Sequence, residues 1–71
     1  MEPADDPADQ EAARRALEKM PQRTLTIFLA SQAEGLTYAE IARRERIPRW
    51  LVRRHMLQAI RIIAREMEGW S

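Results

Sequence analysis

Between positions 43 and 54 the chain places six arginines, Arg43, Arg44, Arg46, Arg49, Arg53 and Arg54, against the single acid Glu45. A guanidinium is always charged, and its planar fork matches both a phosphate and the paired acceptors on the major-groove edge of guanine. The chemistry on offer is therefore recognition of a polyanion rather than the making or breaking of bonds. A solvated helix face is the plain alternative for any arginine run, and the surrounding pattern decides between them. The carboxylates fall in the N-terminal segment or on helix faces. There is no nucleophile-histidine arrangement and no glycine-rich phosphate loop, so no enzyme is expected. His55 is the one histidine, and there is no cysteine. A lone imidazole at the edge of an apolar stripe is read as a satisfied, partly buried side chain, with no metal or other cofactor.

The elements that hold these residues must come from one small domain, because the chain has 71 residues. A chain of this length buries only about 60% of its unfolded surface. No apolar run approaches the ~20 residues needed to span a bilayer, and Met1-Glu2-Pro3-Ala4-Asp5-Asp6 lacks the order of a signal peptide, so a cytoplasmic protein is expected. The formal net charge of +1 conceals an asymmetry. Residues 1–11 sum to −5 and residues 12–71 to +6.

Every strong local signal is helical, and the expected fold is all-α. Residues 1–8 read as an acidic, disordered leader and residues 9–71 as the folded domain. Asp9 serves as N-cap for a helix over 10–20, with Ala13, Ala16, Leu17 and Met20 as its apolar stripe. Pro21 opens a second helix to 34, burying Thr24, Leu25, Ile27, Phe28 and Ser31, and Gly35 ends it in the left-handed conformation. Thr37-Tyr38-Ala39-Glu40 is a capping box that starts a third helix over 38–46, burying Ile41 and Ala42. Pro48 disfavours helix at Ile47 and starts a fourth helix, over 48–68, which Gly69 stops. On that last helix Val52, Met56, Ala59, Ile60, Ile63 and Met67 share one side, flanked by Leu51, His55 and Ile62. Trp50, Arg53, Arg54, Leu57, Arg61 and Arg65 share the other. A short capped helix, a tight turn and a second helix with one greasy and one basic side form a helix-turn-helix, whose second helix fits the major groove of DNA. Trp50 then stacks on a sugar, touches a thymine methyl or covers a neighbouring helix, Leu57 makes a DNA methyl contact or meets a protein partner, and Trp70 packs on the end of the bundle.

At this point Leu36-Thr37-Tyr38-Ala39-Glu40-Ile41-Ala42-Arg43-Arg44, followed by Ile47, Val52, Arg54, His55 and Ala59, resembles region 4 of bacterial extracytoplasmic-function sigma factors. Upstream, Met20-Pro21-Gln22-Arg23-Thr24, Ile27-Phe28-Leu29 and Glu34-Gly35-Leu36 are similar to that family's leading pair of helices. The resemblance covers roughly residues 11–68. It implies a four-helix, winged-helix-like arrangement without a wing, which docks on RNA polymerase core and inserts its last helix into the −35 promoter element. Carried over by position, Pro48, Arg49, Trp50, Arg53, Arg54 and Leu57 face the double-stranded DNA. Arg49 and Arg53 are assigned to base edges, and Arg43, Arg44, Arg54 and Arg61 to phosphates.

The chain also departs from the family's pattern. Where the turn usually carries leucine and glycine, this chain has Glu45-Arg46. Glu45 must therefore find an arginine partner or tilt to solvent. Arg46 must accept a positive φ at a cost of about 1 kcal/mol or more, in a looser turn. Pro48 replaces a commonly hydroxylated residue, and Leu51 a common threonine. A sigma factor also needs a promoter-melting domain, for which 71 residues leave no room. An excised domain or a free-standing protein with another job is implied. Two other readings stand beside DNA recognition: a module that binds RNA polymerase or an anti-sigma partner without strong DNA binding, and a dimeric regulator pairing through Leu57 and Ile62. A monomer is favoured over the dimer, and no membrane is involved.

Overall fold

A computed structural model describes residues 7–67 as four α-helices: α1 Pro7–Lys19, α2 Gln22–Gln32, α3 Tyr38–Glu45 and α4 Arg49–Glu66. The fold is all-α, as its helix-only signals require. Most of the expected acidic leader, the stop at Gly69 and the packing of Trp70 lie outside the described residues. Pro7 and Ala8, assigned to the leader, are instead helical, and Asp9 sits in the first turn of α1 rather than at its cap. Proline at the first helical position gives up no hydrogen bond, which is why the helix can begin there.

The longest helix, α4, packs against each of the other three, and α2 also packs on α3. Ile27 and Ala30 of α2, Ile41 and Ala42 of α3, and Val52 and Met56 of α4 form the buried cluster, with Phe28, Leu36 and Ile47 packed on its margin. Ala12 and Ala16 of α1 are buried, as is Met20 just past its end, each four apart, so the stripe runs through Ala12 and leaves Ala13 exposed. Either alanine fits a helical period, and only docking against α4 selects between them.

The connections follow from a few residues. Gly35 takes φ +73° and lets the Leu36 N–H donate back to the Ala30 carbonyl at 3.1 Å. The Thr37 hydroxyl accepts from the Glu40 N–H at 3.1 Å, and the Thr37 N–H donates to Glu40 Oε1 at 2.8 Å. This reciprocal cap holds the Glu40 carboxyl below its usual range, chiefly through the Thr37 backbone N–H. At the other end of α3, Arg46 adopts φ 61° and ψ 46°. The turn is therefore closed and left-handed rather than loose. The N–H groups of both Arg46 and Ile47 converge on the Ala42 carbonyl. Those bonds hold a non-glycine residue where its Cβ crowds the backbone.

Candidate nucleic-acid interface

The turn at Arg46 delivers the chain to Pro48, whose carbonyl accepts from the Leu51 and Val52 N–H groups at 3.1 and 3.3 Å. Pro48 is thus the N-cap, and Arg49 is the first residue of α4. No side chain caps this end, and no acidic residue lies in its first turn. The positive pole of the helix dipole and the Arg49 guanidinium therefore add with the same sign.

Along α4 the two faces separate cleanly. Val52, Met56 and Ala59 are buried. Arg53, Arg54, Leu57 and Arg61, together with Trp50, lie within an arc of about 100° on the other side at 100° per residue, and all five are exposed. From Trp50 to Arg61 this surface runs about 16 Å along the axis, at 1.5 Å per residue. The apolar side is narrower than its sequence suggests. Ile63, Met67, Leu51 and Ile62 are half-buried, and Ile60 is 52% exposed. The expectation that Ile60 joins the core is corrected by the direction from which the neighbours approach. α1 and α2 reach α4 on the opposite flank, through His55, Gln58 and Glu66.

Each of the nine residues expected at the interface, Arg43, Arg44, Pro48, Arg49, Trp50, Arg53, Arg54, Leu57 and Arg61, is exposed. Arg49, Trp50 and Arg53 line one surface cleft together with Tyr38, the first residue of α3. Tyr38 was not singled out from sequence. Its position after an N-cap threonine gives no sign that α4 begins beside it. Trp50 is 62% exposed, so it does not cover a neighbouring helix. Arg44 has an internal partner: its Nη1 and Nη2 donate to Glu34 Oε1 and Oε2 at 2.9 and 3.0 Å. This two-pronged pair lowers the Glu34 pKa and raises that of Arg44. Of the two courses expected for Glu45 it takes the first, staying half-buried with Oε2 4.0 Å from Arg44 Nε rather than tilting out to solvent. It also lines a second cleft with Gln22, Arg23 and Thr26.

Two polar contacts fix the angle at which α4 is presented. The buried Thr24 hydroxyl donates to Gln58 Oε1 at 3.2 Å, which leaves its oxygen to accept from His55 Nδ1 at 2.9 Å. Burial, and then the charges of Arg23 and Arg54, push the His55 pKa down. At the far end, Glu66 accepts from Lys19 Nζ at 2.7 Å and Arg15 Nε at 3.3 Å. No group of side chains able to hold a metal ion occurs among the described residues. Nor is any described helix long and apolar enough to cross a membrane.

A family model described as sigma-70, region 4 matches residues 10–63. That span runs from α1 into the last turns of α4 and includes all nine exposed interface residues. Among curated proteins and solved structures nothing matches the chain.

Proposed function

The chain belongs to the sigma-70 region 4 family of DNA-binding helix-turn-helix domains that act in transcription initiation, and from that premise we propose that its α4 reads a −35-like promoter element. The supporting observation is the division of α4 into a buried apolar strip and an outward arc carrying Arg53, Arg54 and Arg61. A major groove about 12 Å wide admits one helix, and the residues of its first turns lie deepest. Arg49 and Arg53 are assigned to base edges, where a guanidinium can bond two acceptors of guanine. Arg43, Arg54 and Arg61 are assigned to phosphates, and Pro48, Trp50 and Leu57 to the same DNA-facing surface. Arg44 joins the phosphate contacts only when it leaves Glu34, because one guanidinium fork cannot grip both partners with its paired N–H groups.

The family acts with RNA polymerase as well as DNA. On this reading the protein acts in the cytoplasm and as a monomer. The test is selection of duplexes from a random-sequence library, followed by gel shift of the enriched pool. Enrichment of a common motif supports the reading, and a pool that stays random contradicts it.

One observation favours a second reading. Leu57 and Ile60 are 48% and 52% exposed on adjacent turns of α4, an apolar edge suited to RNA polymerase or an anti-sigma partner. Capture of polymerase by a chain that enriches no duplex would select this reading over the first.

A further inference from the structure

Trp50 is an unusual residue to leave in water. Among the described residues it is the most exposed of the large apolar side chains, at 62%, although half-buried positions such as Leu51 lie beside it on the same helix. Its place is set by the backbone: Pro48 caps α4, so Trp50 is the second helical residue and stands in the turn expected to enter a groove deepest. The indole lines a cleft whose other walls are Tyr38, Arg49 and Arg53. Two aromatic rings thus sit beside two guanidinium groups on one patch, at the positive end of the helix, where no side chain caps the backbone.

We propose that Trp50 is a specificity-determining residue that reads the C5-methyl group of a thymine in duplex DNA. This rests on the DNA-reading function proposed above and deepens it. The flanking charges favour a polyanion, which on the function proposed above is nucleic acid, since an apolar protein surface laid here would have to desolvate Arg49 and Arg53 with no counter-charge. An indole has one N–H donor and no acceptor, so it cannot grip the two acceptors of guanine as arginine does. The one apolar feature that a base pair presents in the major groove is the thymine methyl. Arg49 and Arg53, one residue before and three residues after, then bond to phosphates or guanines on either side, and Tyr38 closes the cleft against water.

The test uses the full chain and a duplex enriched from the random library, compared with the same duplex carrying uracil in place of thymine. Removing one methyl-sized contact is worth about 0.8 kcal/mol, or about fourfold in Kd. The wild type is expected to bind the uracil duplex about fourfold more weakly. Trp50→Ala is expected to bind the thymine duplex more weakly and to lose the difference between the two duplexes. Trp50→Phe should retain the difference, and circular dichroism of all variants should be unchanged. In a Trp70→Phe background Trp50 is the single indole, and its fluorescence should change on addition of the duplex.

Equal affinity of the wild type for both duplexes overturns the proposal. So does a Trp50→Ala variant that still discriminates, or an enriched motif without a shared thymine. In each of those cases DNA reading itself stands. A library that enriches nothing instead removes DNA reading and this proposal with it. Loss of polymerase capture by Trp50→Ala, with both duplex affinities unchanged, reassigns the ring to a protein surface.

Discussion

Arg46 occupies the position where the chain must turn left-handed between two helices, at φ 61°. For an L-residue with a Cβ this conformation costs about 1–2 kcal/mol, part of which a glycine returns as unfolded-chain entropy. Arg46→Gly is therefore expected to stabilise the domain by about 0.5–1 kcal/mol, and thermal unfolding should move upward by several degrees. A lowered midpoint would mean that the arginine side chain makes a compensating contact. His55 yields a second expectation at this scale. Its folded pKa lies below that of the unfolded chain, near 6.5, because burial and two arginines disfavour the imidazolium. As pH falls below about 6.5 the unfolded state takes up a proton that the folded state refuses, so stability drops until the folded pKa is passed. Urea midpoints between about pH 8 and pH 5 should show this loss, and His55→Gln should remove it. A wild type equally stable across that window would contradict the placement of the imidazole.

The helices differ in how firmly they are tied to α4, and their ties explain what sequence could and could not disclose. Local signals act within a few residues, and those were readable: the Thr37–Glu40 box and the positive φ of Gly35 stand as expected, and Pro48 marks the start of the last helix, though as its N-cap rather than its first residue. Signals that depend on partners far along the chain were not. Glu34 lies 10 residues from Arg44, Thr24 lies 31 from His55, and Lys19 lies 47 from Glu66, and no periodicity encodes such pairs. The exposure of Ile60 and the choice of Ala12 over Ala13 belong to the same class, being set by the approach of neighbouring helices. The arginine face was legible because it is a property of one helix, whereas the withdrawal of Arg44 and the arrival of Tyr38 are properties of pairs.

These ties can be cut one at a time. Lys19, and then Arg15, hold the Glu66 carboxyl below its usual pKa, and its side chain is 9% exposed. Stability from this pair is present above the unfolded carboxylate pKa and is lost as pH falls through the lower folded value. Glu66→Gln should speed hydrogen exchange in α1 while leaving α3 and the first turns of α4 protected. Uniform acceleration along the chain would instead place Glu66 in the global core. Glu34→Gln should free Arg44 for a phosphate and steepen the salt dependence of duplex binding by about 0.9 in log–log slope. An unchanged slope would mean that Arg44 lies outside the reach of DNA.

On the scale of the whole molecule, the design is a division of labour around one helix. The buried strip of α4 is closed by α2 and α3, α1 braces it from the remaining flank, and the opposite arc is left to solvent with its arginines unmatched by acids on the same face among the described residues. The core that supports this is small, with Ile27, Ile41, Val52 and Thr24 as its largest fully buried side chains. Truncating Ile27 or Ile41 to alanine is worth about 2–5 kcal/mol, a large share of the stability of so short a domain. Variants on the outward arc touch none of these residues, so binding can be altered without unfolding the protein.

The most direct measurement is therefore fluorescence anisotropy of an enriched duplex across a salt series, with wild type and an Arg54→Gln, Arg61→Gln double variant of equal thermal midpoint. With Arg43, Arg54 and Arg61 on phosphates and Arg44 held by Glu34, log K should fall against log salt with a slope of about −2.7. The double variant should be shallower by about 1.8. A wild-type affinity insensitive to salt, or a double variant with the wild-type slope, would contradict the claim that the outward face of α4 meets DNA.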